Sequence, residues 1–254
     1  MVQSKVDLML VTVISVAFNS EQTIGRTIES ILGQTYKEIE YIIVDGASTD
    51  KTVSVAKSYL DRFNSVEGRK MTIISEPDNG MYDALNKGIK MASGELIGSI
   101  NTDDWYELDA VEKMVDFYKK EKYDAAWGDL RIIKKGGNMI KHAKLGKLWT
   151  TTGWCHPSMF ATKEILMEYP YACETMYDDF DFITRVHLAG KKICVLSETI
   201  ANFTFGDGGM STKKSLSDAF KRVNITYGIY RKHGMSRFYW FHRVALEMAK
   251  FILS

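Results

Sequence analysis

Cysteine is scarce in this chain of 254 residues, and its three copies, Cys155, Cys173 and Cys194, stand far apart with no Cys-x-x-Cys spacing. That argues against a disulfide framework or a zinc site and for a reducing cytosol. Long apolar runs are missing as well, since no uninterrupted segment reaches the roughly 20 residues that span a bilayer. The run from Leu8 to Ala17 follows a polar start and leads into Asn19-Ser20 rather than a small-residue cleavage site, which argues against a signal peptide. The Gly-rich stretch Phe205-Gly206-Asp207-Gly208-Gly209-Met210-Ser211-Thr212 lacks a Gly-Lys-Ser/Thr ending and follows no early strand, which excludes a Walker-type site. It can still cover a substrate as a flexible loop. Neither an internal repeat nor a low-complexity linker divides the chain. The expectation is a cytoplasmic protein, soluble or peripheral at the inner face of the plasma membrane, with no nucleic-acid partner.

What is present is the composition of an ordinary globular protein, 45% apolar and 26% charged, with length enough for a sizeable core. The net charge of +1 hides an asymmetry: residues 213–254 carry nine Lys and Arg against Asp218 and Glu247, leaving a net negative body. Within that tail, Phe238, Phe241, Ala245, Met248 and Ile252 recur at helical spacing beside Arg237, Arg243 and Lys250. A basic amphipathic helix over residues 236–254 suits an anionic membrane surface, and it equally suits packing on the body of the protein or on a partner chain, as in a homo-oligomer.

Leu8–Ala17 is apolar and rich in β-branched residues, as a strand covered on both faces should be. Helical spacing follows over Thr23–Leu32, then a strand at Tyr41–Val44 and a helix capped by Ser48 or Thr49. The order repeats with a strand at Met71–Ser75, a helix through Ala84–Ala92, a strand at Glu95–Ile100, and a helix marked by Leu108, Val111, Met114 and Val115. Strands alternating with helices predict right-handed βαβ units and a mostly parallel sheet. Beyond about residue 122 the pattern changes. Strands are expected at Ala125–Ile133 and Met139–His142 around a Gly136-Gly137 turn, then at His156–Ala161, followed by a short helix at Thr162–Glu168. A helix at Tyr177–Leu188 and extended segments at Lys191–Leu196 and Thr199–Phe205 complete the body.

Polar residues collect where these strands end, which in α/β sheets is where ligands bind. Asp103-Asp104 closes the Glu95–Ile100 run. Two adjacent carboxylates repel unless a cation or donor joins them, and hard oxygen ligands suit Mg²⁺ or Mn²⁺. The competing reading is that they cap the next helix. Asp45 can accept from the N–H of a base or act only as a turn residue. Asp78 can meet a sugar hydroxyl and Lys87 a phosphate, although surface helices carry such residues routinely. His156 can position a ligand, although a lone His is more often structural. Asp178, Asp179 and Asp181 crowd one helix start, more carboxylates than a cap needs, and the excess suits a general base.

Taken in order, Val13-Ile14-Ser15-Val16-Ala17-Phe18-Asn19, Val44-Asp45-Gly46-Ala47-Ser48-Thr49-Asp50, Asp78-Asn79-Gly80 with Asn86-Lys87-Gly88, Asn101-Thr102-Asp103-Asp104, and Asp178-Asp179-Phe180-Asp181 closely resemble the family 2 glycosyltransferases. The resemblance covers roughly residues 8–210. It implies the GT-A fold, with a Rossmann-like, mostly parallel central sheet flanked by helices. The catalytic domain would span residues 1–212, with a nucleotide half to about residue 122 and an acceptor half after it. A helical tail would occupy residues 213–254. It further implies an inverting, metal-dependent transfer from a UDP-sugar to a hydroxyl of a glycan or undecaprenyl-pyrophosphate-linked saccharide, in surface polysaccharide (O-antigen) biosynthesis. By position, Ala17, Asn19, Asp45, Asp78, Lys87, Thr102 and Asp103 would bind the donor. Asp104 would ligate Mn²⁺ or Mg²⁺, and Asp179 would be the base with Asp178 as second choice. His156, Asp181 and Gly209 would serve the acceptor or its loop. The chain departs from the family pattern in having Gly46 where a second Asp often stands, and Asn101 in place of the first acid of the metal motif. The alternatives are a non-catalytic nucleotide-sugar-binding protein and, less in keeping with Phe18-Asn19-Ser20-Glu21, a sugar-phosphate nucleotidyltransferase.

Overall fold

Four strands make the heart of the sheet: β1 (Val11–Ala17), β2 (Ile39–Asp45), β3 (Arg69–Ser75) and β4 (Leu96–Ser99). The computed structural model describes residues 9–146, 149–205 and 215–252. β2 is buried along its whole length and β1 at all but one position, because helices cover both faces. The four pair in parallel in the order β3-β2-β1-β4, so Ala17, Asp45, Ser75 and Ser99 end along one edge. The crossovers are α1 (Ile24–Leu32), the pair α2 (Thr52–Lys57) and α3 (Leu60–Asn64), and α4 (Met81–Met91). α1 buries Ile24, Ile28 and Ile31. α4 lies close against β1 and β2 at Gly88, where a Cβ would stand 2.7 Å from Ile14 Cγ2 and 3.3 Å from Val44 Cγ2.

The second half adds β5 (Trp105–Tyr106), α5 (Ala110–Glu121), β6 (Ala125–Ile133), β7 (Met139–Lys141), β8 (Met159–Thr162), α6 (Lys163–Glu168), α7 (Asp178–Leu188) and β9 (Ile193–Thr204). β8 is antiparallel to both β4 and β6, β9 runs parallel to β6, and β5 closes the edge against β9.

Several expectations shift. The strand expected from His156 starts at Met159, because His156–Ser158 form a 3₁₀ turn around Pro157. The two extended segments after Lys191 are one strand, kinked where the register against β6 jumps from Leu196 to Thr199. Ser48 and Thr49 cap nothing, since α2 begins at Thr52. The capping alternative for Asp103-Asp104 also falls, because β5 follows them and α5 begins only at Ala110.

The tail holds two packed helices, α8 (Leu216–Lys232), which hydrophobic spacing did not announce, and α9 (Phe238–Ile252). α9 docks with Arg243 and Glu247 inward. Arg243 is 1% exposed and donates to Thr151 Oγ1 at 2.7 Å, and Glu247, 4% exposed, accepts from Arg222 Nε at 2.9 Å. Tyr239 stacks on Tyr230 at 4.2 Å. Phe238, Phe241 and Met248, half of the expected apolar stripe and more, face solvent.

Candidate active site

The loops leaving β1 and β2 are zipped together. Asn19 takes a left-handed backbone (φ 49°), as does Ala47 (φ 60°), a strained conformation for residues other than Gly. Asn19 Oδ1 accepts from Thr49 N at 2.9 Å, and its own N–H donates to Ser48 Oγ at 2.8 Å. Asp45 is 1% exposed, and its carboxylate accepts from Ser48 N (2.9 Å), Ser75 Oγ (2.7 Å) and Ser48 Oγ. Three internal donors make Asp45 the former of this turn. Ala17 is likewise buried, its carbonyl accepting from Gly46 N at 2.9 Å. Thr102, 5% exposed, spends its hydroxyl on Ser20 Oγ at 2.9 Å. Lys87 Nζ holds the turn before α4 through Pro77 O (2.8 Å) and Glu76 (2.9 Å). A phosphate would compete with those contacts.

Asp103 and Asp104 differ sharply in exposure. Asp104 is wholly buried, its Oδ1 accepting from Thr204 N at 2.9 Å while Oδ2 has no partner among the described residues. Burial, and secondarily the charge of Asp103, push its carboxyl up to about 8. Asp103 is exposed on the crevice side, and its carboxylate makes no hydrogen bond or ion pair among the described residues. Its backbone is fixed instead, the carbonyl accepting from Arg26 Nη2 at 2.6 Å and Thr204 Oγ1 at 2.8 Å. Arg26 in turn lies over the Trp105 ring, 3.9 Å from its centroid. Asp103 thus offers an exposed carboxylate to the solvent, and Asp104 a buried carboxyl with one oxygen unpartnered among the described residues. This donor set fits a hard cation that takes few protein ligands and completes its shell from phosphate and water. Among the described residues no group of three His, Cys, Asp or Glu side chains forms an all-protein metal cage.

Asp179 stands in the first turn of α7, where the helix dipole favours a carboxylate. Oδ1 accepts from Tyr82 OH at 3.1 Å and Oδ2 from Trp154 Nε1 at 2.8 Å. Tyr82 is buried and stacked on Tyr171 (centroids 5.2 Å apart), and Trp154 meets Trp127 edge-on at 4.8 Å. Burial, then the Asp179 charge, raise the Tyr82 phenol well above its ordinary value, so it stays a donor. His156 belongs to the same wall, 3.4 Å from Tyr171 OH, and burial holds it below its ordinary value against the pull of Asp179. Asn86 clamps this wall to α4, donating to Tyr171 O (2.8 Å) and accepting from Tyr171 N (3.0 Å).

The two neighbouring acids do other work. Asp178, the second choice for the base, is 1% exposed and accepts from Glu174 N, Thr175 N and Thr175 Oγ1, so it ties the preceding loop. Asp181, 2% exposed, binds Arg185 Nε and His233 Nε2, each at 2.8 Å, and joins α7 to α8 rather than facing an acceptor. Gly209 lies outside the described residues.

The family profile described as "Glycosyl transferase family 2" matches residues 12–183, more than half of the chain and all of these acids. The chain belongs to glycosyltransferase family 2. An uncharacterized glycosyltransferase of Haemophilus influenzae is 33% identical over 143 residues, covering 55% of this chain and 43% of its own length. The chain thus spans less than half of that relative. A PGL/p-HBAD biosynthesis glycosyltransferase of Mycobacterium bovis is 27% identical over 151 residues, 59% of this chain and 57% of its own. The putative glycosyltransferase EpsE of Bacillus subtilis is 28% identical over 229 residues, 86% of this chain and 78% of its own. Among solved structures, S. aureus TarS 1–349 in complex with UDP-GlcNAc superposes with a TM-score of 0.71 at 19% identity, covering 96% of this chain and 72% of that one. The mannosyltransferase PcManGT from Pyrobaculum calidifontis, in complex with GDP-Man and Mn²⁺, gives 0.67 at 18%, covering 89% and 64%. These likenesses establish the fold as GT-A. Tyr82, Trp154, Tyr171, Arg26 and Thr204 are the site residues that sequence reasoning missed. Only Trp154 carried a signal, as the neighbour of the Cys155-His156 pair.

Proposed function

We propose that this glycosyltransferase moves a sugar from a nucleoside-diphosphate sugar, with UDP-sugars the first class to test, to a hydroxyl of a glycan or lipid-linked saccharide with inversion at the anomeric carbon. The observation that carries the reading is the Asp179 carboxylate, held by one ring donor on each oxygen at the edge where Asp103 is exposed. A carboxylate offers about four lone-pair directions, so two remain for an attacking hydroxyl. Asp179 takes that hydroxyl's proton as the oxygen attacks the face opposite the diphosphate. Asp103 would hold a divalent cation, which when bound neutralises charge developing on the leaving diphosphate. Arg26 and Thr204 keep the Asp103 backbone in place.

The test is a screen of nucleotide sugars with Mn²⁺, reading release of the nucleoside diphosphate, followed by Asp179→Asn with the preferred donor. The variant should bind donor as the parent does and lose turnover by about 10²- to 10⁴-fold. Near-normal turnover would remove Asp179 from the role of base.

The tail supports a further part of this reading. A helix that buries Arg243 and Glu247 and turns Phe238, Phe241 and Met248 outward, with Arg237 exposed beside them, suits an anionic membrane surface where a lipid-linked acceptor would be met. Co-sedimentation with anionic phospholipid vesicles should be strong for the parent and lost in Phe238→Asp/Phe241→Asp. Equal pelleting of the two would sink the idea.

A further inference from the structure

Trp154, whose indole N–H donates to Asp179 Oδ2, closes a segment that the tail grips at its other end. Residues 149–154 run from the tail helices to Asp179 and border a cavity whose other walls include Trp127, Phe180 and Ile183. At the outer end, tail tyrosines take both backbone groups of Trp149. Its N–H donates to Tyr239 OH at 3.2 Å, and its carbonyl accepts from Tyr230 OH at 3.0 Å. The two phenol rings stack on each other, so these hydroxyls arrive as a pair from α9 and α8. Two residues on, Thr151 Oγ1 accepts from Arg243 Nη1 at 2.7 Å. The Trp149 indole points the other way, donating to Thr184 Oγ1 at 2.9 Å and lying flat on His187 at 3.9 Å, both on α7. At the inner end, any Cβ on Gly153 would collide with the Lys144 carbonyl, and the Gly153 carbonyl accepts from Trp127 Nε1 at 2.6 Å.

We propose that the tail is part of the transfer machinery: Tyr230, Tyr239 and Arg243 are positioning residues that fix the 149–154 segment and, through Trp154, aim the Asp179 carboxylate at the acceptor hydroxyl. This rests on the reading of Asp179 as the base and goes beyond it in naming what holds that base from outside the crevice. A segment that borders a cavity has fewer atoms packed against it, so its anchors at the two ends set its course. Releasing the outer anchor lets the segment sample more positions, and the Trp154 indole moves with it. A reacting group misplaced by about 1 Å can lose about 10²-fold in rate. Trp149 joins the tail to α7, the helix that carries Asp179, so the carboxylate and the indole that holds it share one anchor. None of these contacts involves the ends of β1–β4, so the effect falls on turnover and not on donor binding.

Tyr230→Phe/Tyr239→Phe removes both hydroxyls and keeps the stacked rings. A neutral hydrogen bond is worth roughly 2- to 12-fold in an equilibrium, and the inner anchor remains, so kcat should fall roughly 3- to 30-fold while the donor KM stays within about twofold. Thr151→Val should lower kcat in the same way, and Thr151→Ser, which keeps the accepting oxygen, should recover most of the loss. The same tyrosine pair in a Trp154→Phe background should cost less than about twofold, because the indole that transmits the effect is gone. Exchange of the Trp154 indole N–H, followed by NMR on protein carrying isotope-labelled tryptophan and no nucleotide, should quicken roughly 10-fold in the tyrosine double variant. Unchanged kcat, unchanged indole exchange, or an equal loss in both backgrounds overturns the proposal. Turnover that survives Asp179→Asn removes the base reading itself. An inactive Asp179→Asn beside an unaffected tyrosine double variant removes only the role of the tail.

Discussion

Tyr82→Phe isolates what holds the proposed base. The phenol lies in the first turn of α4, has Asp179 Oδ1 at 3.1 Å and Met176 O at 3.3 Å as acceptors for its one proton, and is buried against Tyr171. Removing one hydroxyl leaves the ring and its stacking in place and deletes the donor on one carboxylate oxygen. A hydrogen bond to a charged group is worth about 1.5–3 kcal/mol, and tenfold in rate is about 1.4 kcal/mol, so kcat should fall roughly 10- to 100-fold. Trp154 Nε1, 2.8 Å from Oδ2, still restrains the group and sets that ceiling. Steady-state kinetics with a saturating donor measure the loss, and a thermal melt separates it from instability. The decisive arm is the same substitution in an Asp179→Asn background. If Tyr82 acts by positioning the carboxylate, it should there cost less than about threefold, because the two residues work as a unit. An equal factor in both backgrounds would show that Tyr82 acts through folding or donor binding and would refute the reasoning.

Asp104 makes stability depend on pH. Its folded carboxyl is pushed up to about 8 against an ordinary 3.8, so between those values the folded chain holds a proton that the unfolded chain releases. Stability in EDTA should therefore fall as pH rises through that window, by at most roughly 1.4 kcal/mol per unit, and Asp104→Asn should flatten the slope. Urea unfolding at pH 5.5, 6.5 and 7.5 measures it, and parallel curves for the two proteins would contradict the assignment. Gly88→Ala gains helix propensity but drives a methyl to within 2.7 Å of Ile14 Cγ2. Overpacking costs about 1–3 kcal/mol against a gain of about 1, so the urea midpoint should drop. A raised midpoint would mean that α4 moves off the sheet freely.

The edge that carries the site was legible because β1, β2 and β4 are buried on both faces and so read as unbroken apolar runs that stop at polar residues. Position along the chain was enough to bring Asp45, Asp103 and Asp179 to attention. It could not say which way each side chain turns. Asp45 and Ser48 are three residues apart and look like any turn, and only the arrival of Ser75 from β3 fills the carboxylate. Asp178 and Asp179 are neighbours of identical chemistry. The helix start assigns one to the loop at Thr175 and the other to Tyr82, 97 positions away. α8 falls inside the helical tail expected over 213–254, but its own bounds were not legible because Thr226 and Tyr230 stand among its buried residues and blur the apolar period.

The same reasoning explains why Asp103 and Asp104, equal in sequence, are unequal in space. β5 is two residues long, too short to register as a period, yet its pairing with β9 fixes how the chain leaves the crevice. Thr204, at the end of β9, then reaches back 100 positions to take Asp104 Oδ1 through its N–H and 101 positions to the Asp103 carbonyl through its hydroxyl. One threonine thereby pins the first acid's backbone and buries the second acid's side chain. The difference in exposure between the two acids thus follows from a contact that no local pattern near residue 103 could contain.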